Sequence, residues 1–287
     1  MIYSPEIKTL DPCDGKIVWA PTKSLLFITC LTVFLVFGYS TYSLTNAFTS
    51  FLLTLITLSF GHSVGLHRGI LHDSFSSSIH LKRILLYFAV LTGFGGPLSL
   101  RYFHDLRDWA QRSKACHPYF CHYDNIFQDF IIQNNFTIKM KERQVFHYSN
   151  EYGEDKVIQF LEKTWLWQQI PIITILGFVG GIGAIVWGVC GRISICTIGN
   201  WLVSHYAHKR GELVRVVPDA CTQGYNVPFI SLLTMGESLH NNHHAFPESS
   251  KFSLQKGELD PGWWCIQFLS LFGWIKTANV VEVNKSC

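Results

Sequence analysis

Four long apolar runs constrain this chain more than any other feature. A helix needs roughly 20 apolar residues to cross the hydrocarbon core of a bilayer. Residues 24–43, 47–66, 165–189 and 193–207 meet or approach that length. The third run is interrupted by Pro171 and by the pair Gly180–Gly181. Charged residues make up only 15% of the chain against 48% apolar, where soluble proteins carry about 25% charge. That balance excludes a disordered chain, a coiled coil and a nucleic-acid-binding arm, and it argues against an ordinary soluble enzyme. The formal net charge of +3 is too mild to imply a polyanionic partner, so no nucleic acid is expected. The first run is not a cleavable signal peptide, because it starts late and a second run follows at once.

A fifth run, residues 84–100, contains Gly93, Gly95, Gly96 and Pro97. Its first part is read as a helix lying in or near the membrane surface. The four spans then form two tight hairpins. The loop inside the first has no Lys or Arg, and the loop inside the second has only Arg192. Lys8, Lys16 and Lys23 precede the first span, and the segments 68–163 and 208–287 hold most of the remaining cations. The positive-inside rule puts both termini and both polar segments in the cytoplasm. The expectation is a multi-pass, all-α membrane protein forming a single domain over residues 1–287. Four transmembrane helices in two hairpins would carry a cytoplasmic helical cap (67–164 and 208–287) with a histidine-rich metal site. Nine scattered cysteines, Cys30 and Cys190 among them inside apolar runs, fit a reduced intracellular compartment. Cys116-x4-Cys121 is not a usual zinc spacing.

Thirteen histidines cluster on that one side. His240, His243 and His244 stand at i, i+3 and i+4, on one face of a helix. Three neutral imidazoles aimed at one spot suit iron, zinc or copper; the alternative is a solvated helix end. His67 and His72 follow the second span. Five residues correspond to about 140° on an ideal helix. Both rings reach one centre only if the helix ends or bends there, which Gly69 would ease; otherwise they are a solvated interfacial pair. His205 closes the fourth span and His208 lies one turn on, each a ligand or a ring satisfied by the backbone. His104 and Asp108 share a helix face, with Arg107 beside them. Asp is a hard oxygen ligand for iron, whereas the Arg guanidinium stays charged and cannot ligate. In the alternative, Arg107 pairs with Asp105 or Asp108 at the surface. His117 and His122 repeat the five-residue spacing or belong to a solvent-facing loop. His62, His80 and His147 have no partner at ligand spacing and are read as non-ligands.

Taken together, these segments resemble the integral-membrane acyl-CoA (stearoyl-CoA-type) fatty acid desaturases. That family carries the boxes H-x4-H, H-x2-H-H and H-x2-H-H around four spans. Box one matches His67-Arg68-Gly69-Ile70-Leu71-His72, and box three matches His240-Asn241-Asn242-His243-His244, with Gly236-Glu237 before it and Phe246-Pro247 after it. Gly257-Glu258-Leu259-Asp260-Pro261-Gly262-Trp263 looks like the bacterial branch. The family's extra ligand after its last span corresponds to His205. The likeness runs from about residue 45 to 275. Box two departs from the pattern: His104 is kept, but Arg107 and Asp108 stand where two more histidines belong.

The resemblance implies a metal set of His67, His72, His104, Asp108, His205, His240, His243 and His244. His117, His122 and His208 are further candidates to make up the shortfall. It implies iron, two ions in the full family pattern and fewer if box two fails. It implies removal of two hydrogens from an unactivated alkyl chain using O2, chemistry that a metal rather than a side chain must supply. The substrate would be a long-chain acyl-CoA or acyl-lipid, held by burial worth roughly 0.8 kcal/mol per methylene. Arg68, Lys82 and Arg83 are candidates to meet its head group. No haem, flavin or iron–sulfur motif is evident, so an external donor is implied, a ferredoxin or a small cytochrome. Two alternatives stay open: a lipid hydroxylase or oxygenase on the same scaffold, and an inactive lipid-binding paralogue.

Overall fold

The computed structural model describes residues 10–146, 148 and 150–281. The helices are α1 (Pro21–Phe37), α2 (Leu44–Leu71), α3 (Ile79–Leu91), α4 (Pro97–Gln111), α5 (Pro118–Cys121), α6 (Ile126–Asn135), α7 (Asn150–Glu154) and α8 (Lys156–Thr164). The helical stretch Gln169–Ala207 follows and is broken at Gly181 (φ 66°, ψ −161°). Its limbs are α9 (169–180) and α10 (182–207). Two more helices, α11 (His240–Ala245) and α12 (Pro261–Leu271), complete the set. Local chemistry sets several starts. Pro21, Pro97 and Pro261 sit in the first turn of their helices, where a missing N–H costs nothing. Ser43, Ser78 and Asp155 cap α2, α3 and α8 through their side-chain oxygens.

Two stretches, Leu44–Leu71 and Gln169–Ala207, are long and apolar enough to cross a membrane, and Pro21–Phe37 is apolar but shorter. They are arranged inside out. Leu35, Phe178 and Val179 are 71%, 88% and 82% exposed, while Ser50, Thr57, Ser59 and Ser194 are buried. A water-soluble bundle would do the reverse.

The second hairpin turns earlier than the sequence indicated. The reversal expected between residues 189 and 193 falls at Gly181, where a positive φ favours glycine. Leu176 consequently packs against Gly188, and Arg192 Nη2 donates to Gln169 Oε1 at 2.8 Å. On one straight helix those last two residues would be about 35 Å apart. Arg192 is therefore not a loop residue. It is 1% exposed, donates to the Gly188 carbonyl one turn back, and ties α10 to Gln169 of α9 and to the Leu91 carbonyl of α3. The run 84–100 is two helices, parted by Gly93 (φ 82°) and Gly95 (φ 152°).

The all-α expectation also missed two antiparallel ribbons. Strand β1 (Gly15–Trp19) pairs with β3 (Phe136–Met140), and β2 (Phe75–Ser77) pairs with β4 (Ile275–Ala278). The second ribbon brings the C-terminal region to the residues just after His72.

The lower half of α2, Thr57–Leu71, is wound as a π-helix. It lies at the centre of the cap. One side packs Leu66, Ile70 and Leu71 against Leu86, Ala89 and Val90 of α3. The other packs Val64 with Ile266 and Leu269 of α12. Gly61 and Gly65 allow α3 this close: a Cβ on Gly61 would sit 2.5 Å from the Phe88 backbone. Gly61→Val is expected to destabilise the protein by about 1–3 kcal/mol through overpacking. Gly153→Ala, where a Cβ meets nothing within 4 Å, should leave the melting temperature in detergent unchanged or slightly raised. Equal melting of both variants would remove the close packing as a constraint.

Candidate metal centre

The π-helical winding resolves the five-residue spacing of the first histidine pair. A π-helix bonds i to i+5, and His72 N donates to His67 O at 3.2 Å. Residues five apart then stand one above the other instead of about 140° apart, and the two rings lie 5.0 Å from centroid to centroid. His104 of α4 and His243 of α11 complete this group, with ligand atoms of all four within 4.8 Å of one another. A second group, His208, His240 and His244, meets the same limit. The short helix α11 thus divides its imidazoles, His243 going to the first group and His240 and His244 to the second.

The chemistry of these nitrogens suits a cation. His72 Nε2, His104 Nδ1 and both nitrogens of His243 are buried without a hydrogen-bond partner. One such orphan costs about 1–3 kcal/mol, and a shared metal would satisfy several together. His67 Nδ1 donates to Glu237, and His208 Nδ1 donates to the Ser204 carbonyl. Both acceptors fix the tautomer that leaves Nε2 bare, the usual outer support of a metal-bound imidazole. His208 Nε2 lies 3.3 Å from His240 Nε2, which lies 3.0 Å from His244 Nε2. Burial pulls His72, His208, His243 and His244 well below the ordinary histidine range and His240 to about 4. The rings are neutral and their lone pairs free. Burial pulls His104 down as well, but the Asp108 carboxylate and then Asp105 more than offset it, so its pKa is raised.

The spacer residues of box three hold it in place. Asn226 Oδ1 accepts from the backbone N–H groups of Asn241 and Asn242 at the start of α11. Asn241 Nδ2 donates to the Arg215 and Gly224 carbonyls, and Asn242 Nδ2 to Phe252 O and Glu258. Arg68, between the two histidines of box one, is fully buried. It pairs with Glu237 and Asp260, each at 2.9 Å, and donates through Nε to Ser250 O. Arg68 is therefore not free to meet a head group. Lys82 is buried against Asp73 and Tyr152, and Arg83 is paired with Asp155. The acids of the 257–263 motif serve as anchors, which spacing rules could not reveal.

The remaining candidates fall outside both groups. Asp108 is buried beside His104 but belongs to neither. Arg107, expected to pair with Asp105 or Asp108 in one reading, instead donates to Ser204 Oγ (2.9 Å) and Gln133 Oε1 (3.0 Å) and lies 3.2 Å from His122 Nε2. His205 joins His122 and Asp129 in a third cluster. Asp129 accepts from both rings, from Trp201 Nε1 and from the Tyr123 N–H. Burial pushes that carboxyl up, but the His122 hydrogen bond and its companions hold it well below the usual range. The His122 ring stacks on His208 with centroids 5.5 Å apart. His117 caps α5 by accepting from the Tyr119 N–H, half-exposed and away from the histidine groups. His62 sits between His67 and Phe94, and His80 is exposed on α3. His147 lies outside the described residues.

Both groups border one cavity of about 510 Å³. Phe27, Leu66, Leu100, Ile193 and Trp201 line its apolar part, and Lys23 and Arg107 also border it.

No protein-family model matches the chain. Characterised relatives do. It is 29% identical over 269 residues to an sn-1 stearoyl-lipid 9-desaturase of Anabaena variabilis, covering 90% of this chain and 92% of that protein. It is also 29% identical over 272 residues to the sn-1 stearoyl-lipid 9-desaturase of Synechocystis sp., covering 92% and 82%. An acyl-CoA C20 Delta5-desaturase of Anemone leveillei is 29% identical over 255 residues, covering 87% and 78%.

Glu237→Gln is expected to weaken metal retention by about 10–100-fold, because the neutral amide no longer fixes and polarises His67. Asp124→Asn, at an exposed pair with Lys209, should leave retention unchanged. Competition against a chelator, followed by metal analysis, measures both; no difference between them would remove Glu237 from the site.

Proposed function

Because this chain belongs to the fatty acid desaturase family, we propose that it is an iron-dependent membrane enzyme that introduces a double bond into an acyl chain. The observation that carries the reading is the convergence of seven imidazoles in two groups, five of which (His67, His104, His208, His240 and His244) line a largely apolar cavity. Four ring nitrogens buried without partners support metal occupancy. In this reading His67, His72, His104 and His243 hold one ion, and His208, His240 and His244 hold the other. Iron bound there, supplied with O2 and with electrons from a separate donor, would provide the oxidising power that no side chain has.

The chain's own contribution is binding, orientation and exclusion of water. The cavity falls within the 300–1,000 Å³ range of small-molecule sites, and its apolar residues suit an alkyl tail. Glu237 and the Ser204 carbonyl engage Nδ1 of His67 and of His208, which leaves Nε2 as the coordinating nitrogen of each ring. Asp129 fixes His122 and His205 behind the second group. The acyl carrier stays open, since the relatives include acyl-lipid and acyl-CoA enzymes. The inside-out polarity of α1, α2, α9 and α10 supports a four-crossing arrangement in the bilayer. The excess of Lys and Arg in the cap supports a cytoplasmic site and termini.

A second reading rests on one observation. Arg107 brings a permanent cation to the His122 side of the second group, where box two of the family has a histidine. In that reading the second group binds no ion and the protein is an inactive lipid-binding relative.

Expression in a host whose native acyl composition is known tests both. New double bonds and two irons per chain are expected. His243→Ala should abolish metal and product, and His80→Ala should alter neither. Hydroxylated chains would redirect the reading to an oxygenase. Iron at one per chain or none, with unchanged lipids, would establish the inactive relative.

A further inference from the structure

Away from the histidine groups, three cysteines distant in sequence come together. We propose that Cys116, Cys121 and Cys221 form a separate thiolate site for a soft divalent cation of the zinc class, with Cys13 as its fourth ligand. Cys116 Sγ lies 3.0 Å from Cys121 Sγ and 3.2 Å from Cys221 Sγ. All three sulfurs are within 4.8 Å of one another. Cys13 lies outside the 4.8 Å group, but its backbone is tethered to the same loop. The His117 N–H donates to Pro12 O at 3.0 Å, which ties the backbone next to Cys13 to the residue after Cys116.

A disulfide accounts for this arrangement poorly. Cys116 is almost equidistant from two partners and can bond to only one, leaving a thiol crowded against the bridge. A single cation satisfies all three. Zinc–sulfur bonds of about 2.3 Å put tetrahedral sulfurs about 3.8 Å apart, so modest outward rotation of the side chains would seat the ion. The site would also have a structural task. Residues 208–227, which join His208 to the approach to α11, contain no helix or ladder strand. Cys221 N donates to Ser113 O and Thr222 N to Gln111 O. A bound ion would clamp this linker to the end of α4, which carries His104, and to α5, which precedes His122.

The test uses the full-length protein, purified in detergent under reducing conditions and incubated with zinc chloride and then, separately, cobalt chloride. One zinc per chain beyond the iron content is expected. The triple variant Cys116→Ser, Cys121→Ser, Cys221→Ser should lose that zinc and keep its iron. Cobalt should give thiolate charge-transfer absorption in the wild type alone. Should the triple variant fail to fold, wild-type alkylation decides. Zinc should slow iodoacetamide labelling of Cys116, Cys121 and Cys221 by about tenfold or more, since the bound thiolate is no longer a free nucleophile. Cys13→Ser should reduce zinc retention. Equal zinc in wild type and triple variant, no protection from alkylation, or a Cys116–Cys121 disulfide in thiol buffer would overturn the proposal.

Discussion

The first and third histidine boxes are docked on one another through the buried guanidinium of Arg68. It sits between Glu237 and Asp260, with Phe252 stacked 3.8 Å from its centre. Taking an ion out of water costs several kcal/mol unless charge and hydrogen bonds are matched. Here both partners come from the far end of the chain, so the match exists only when the 237–260 segment is docked on α2. Glu237 also accepts from His67, and Asp260 caps α12 and accepts from the Phe252 N–H. One cation therefore sets the register between the first histidine box and the third. Removing either acid would leave the guanidinium short of a partner, and removing Glu237 would also release the His67 ring.

Helical winding is the second constraint. An α-helix cannot aim residues five apart at one point, while a π-helix does so as a matter of geometry. The looser winding over Thr57–Leu71 is held by close packing on α3 at Gly61 and Gly65 and on α12 beyond. The same packing thus brings the His67 and His72 rings to within 5.0 Å of each other, centroid to centroid.

Much of this was legible in the sequence, for identifiable reasons. Apolar runs and histidine spacing are local signals, and they located α1, α2, the apolar stretch 169–207 (though not its break at Gly181) and both complete boxes. Signals that depend on distant partners were not legible. Arg192 reads as a loop charge until Gln169 and the Leu91 carbonyl are seen around it. Arg68 reads as a surface cation until two acids 169 and 192 residues away meet it. His205 and His208 are one turn apart, and only the position of Asp129 separates a ring held in the third cluster from one facing His240. The cysteine spacing has the same limit: Cys116-x4-Cys121 gives no sign of the third sulfur of the cluster, which comes from residue 221.

The altered second box then takes on a physical meaning. A histidine at position 107 would bring a neutral lone pair toward the second group; arginine brings a charge that must itself be matched. Ser204 and Gln133 accept from its guanidinium, and the third contact is His122 Nε2. Burial pulls His122 down to about 4, which leaves its ring neutral, and its Nδ1–H donates to the Asp129 carboxylate. The bare Nε2 can then receive a hydrogen bond from Arg107. The cation is thereby directed into a polar network along the cavity wall, one ring removed from His208. The three-histidine group keeps its geometry because the charge beside it has acceptors of its own, and the same network supplies a polar lining next to the apolar part of the cavity.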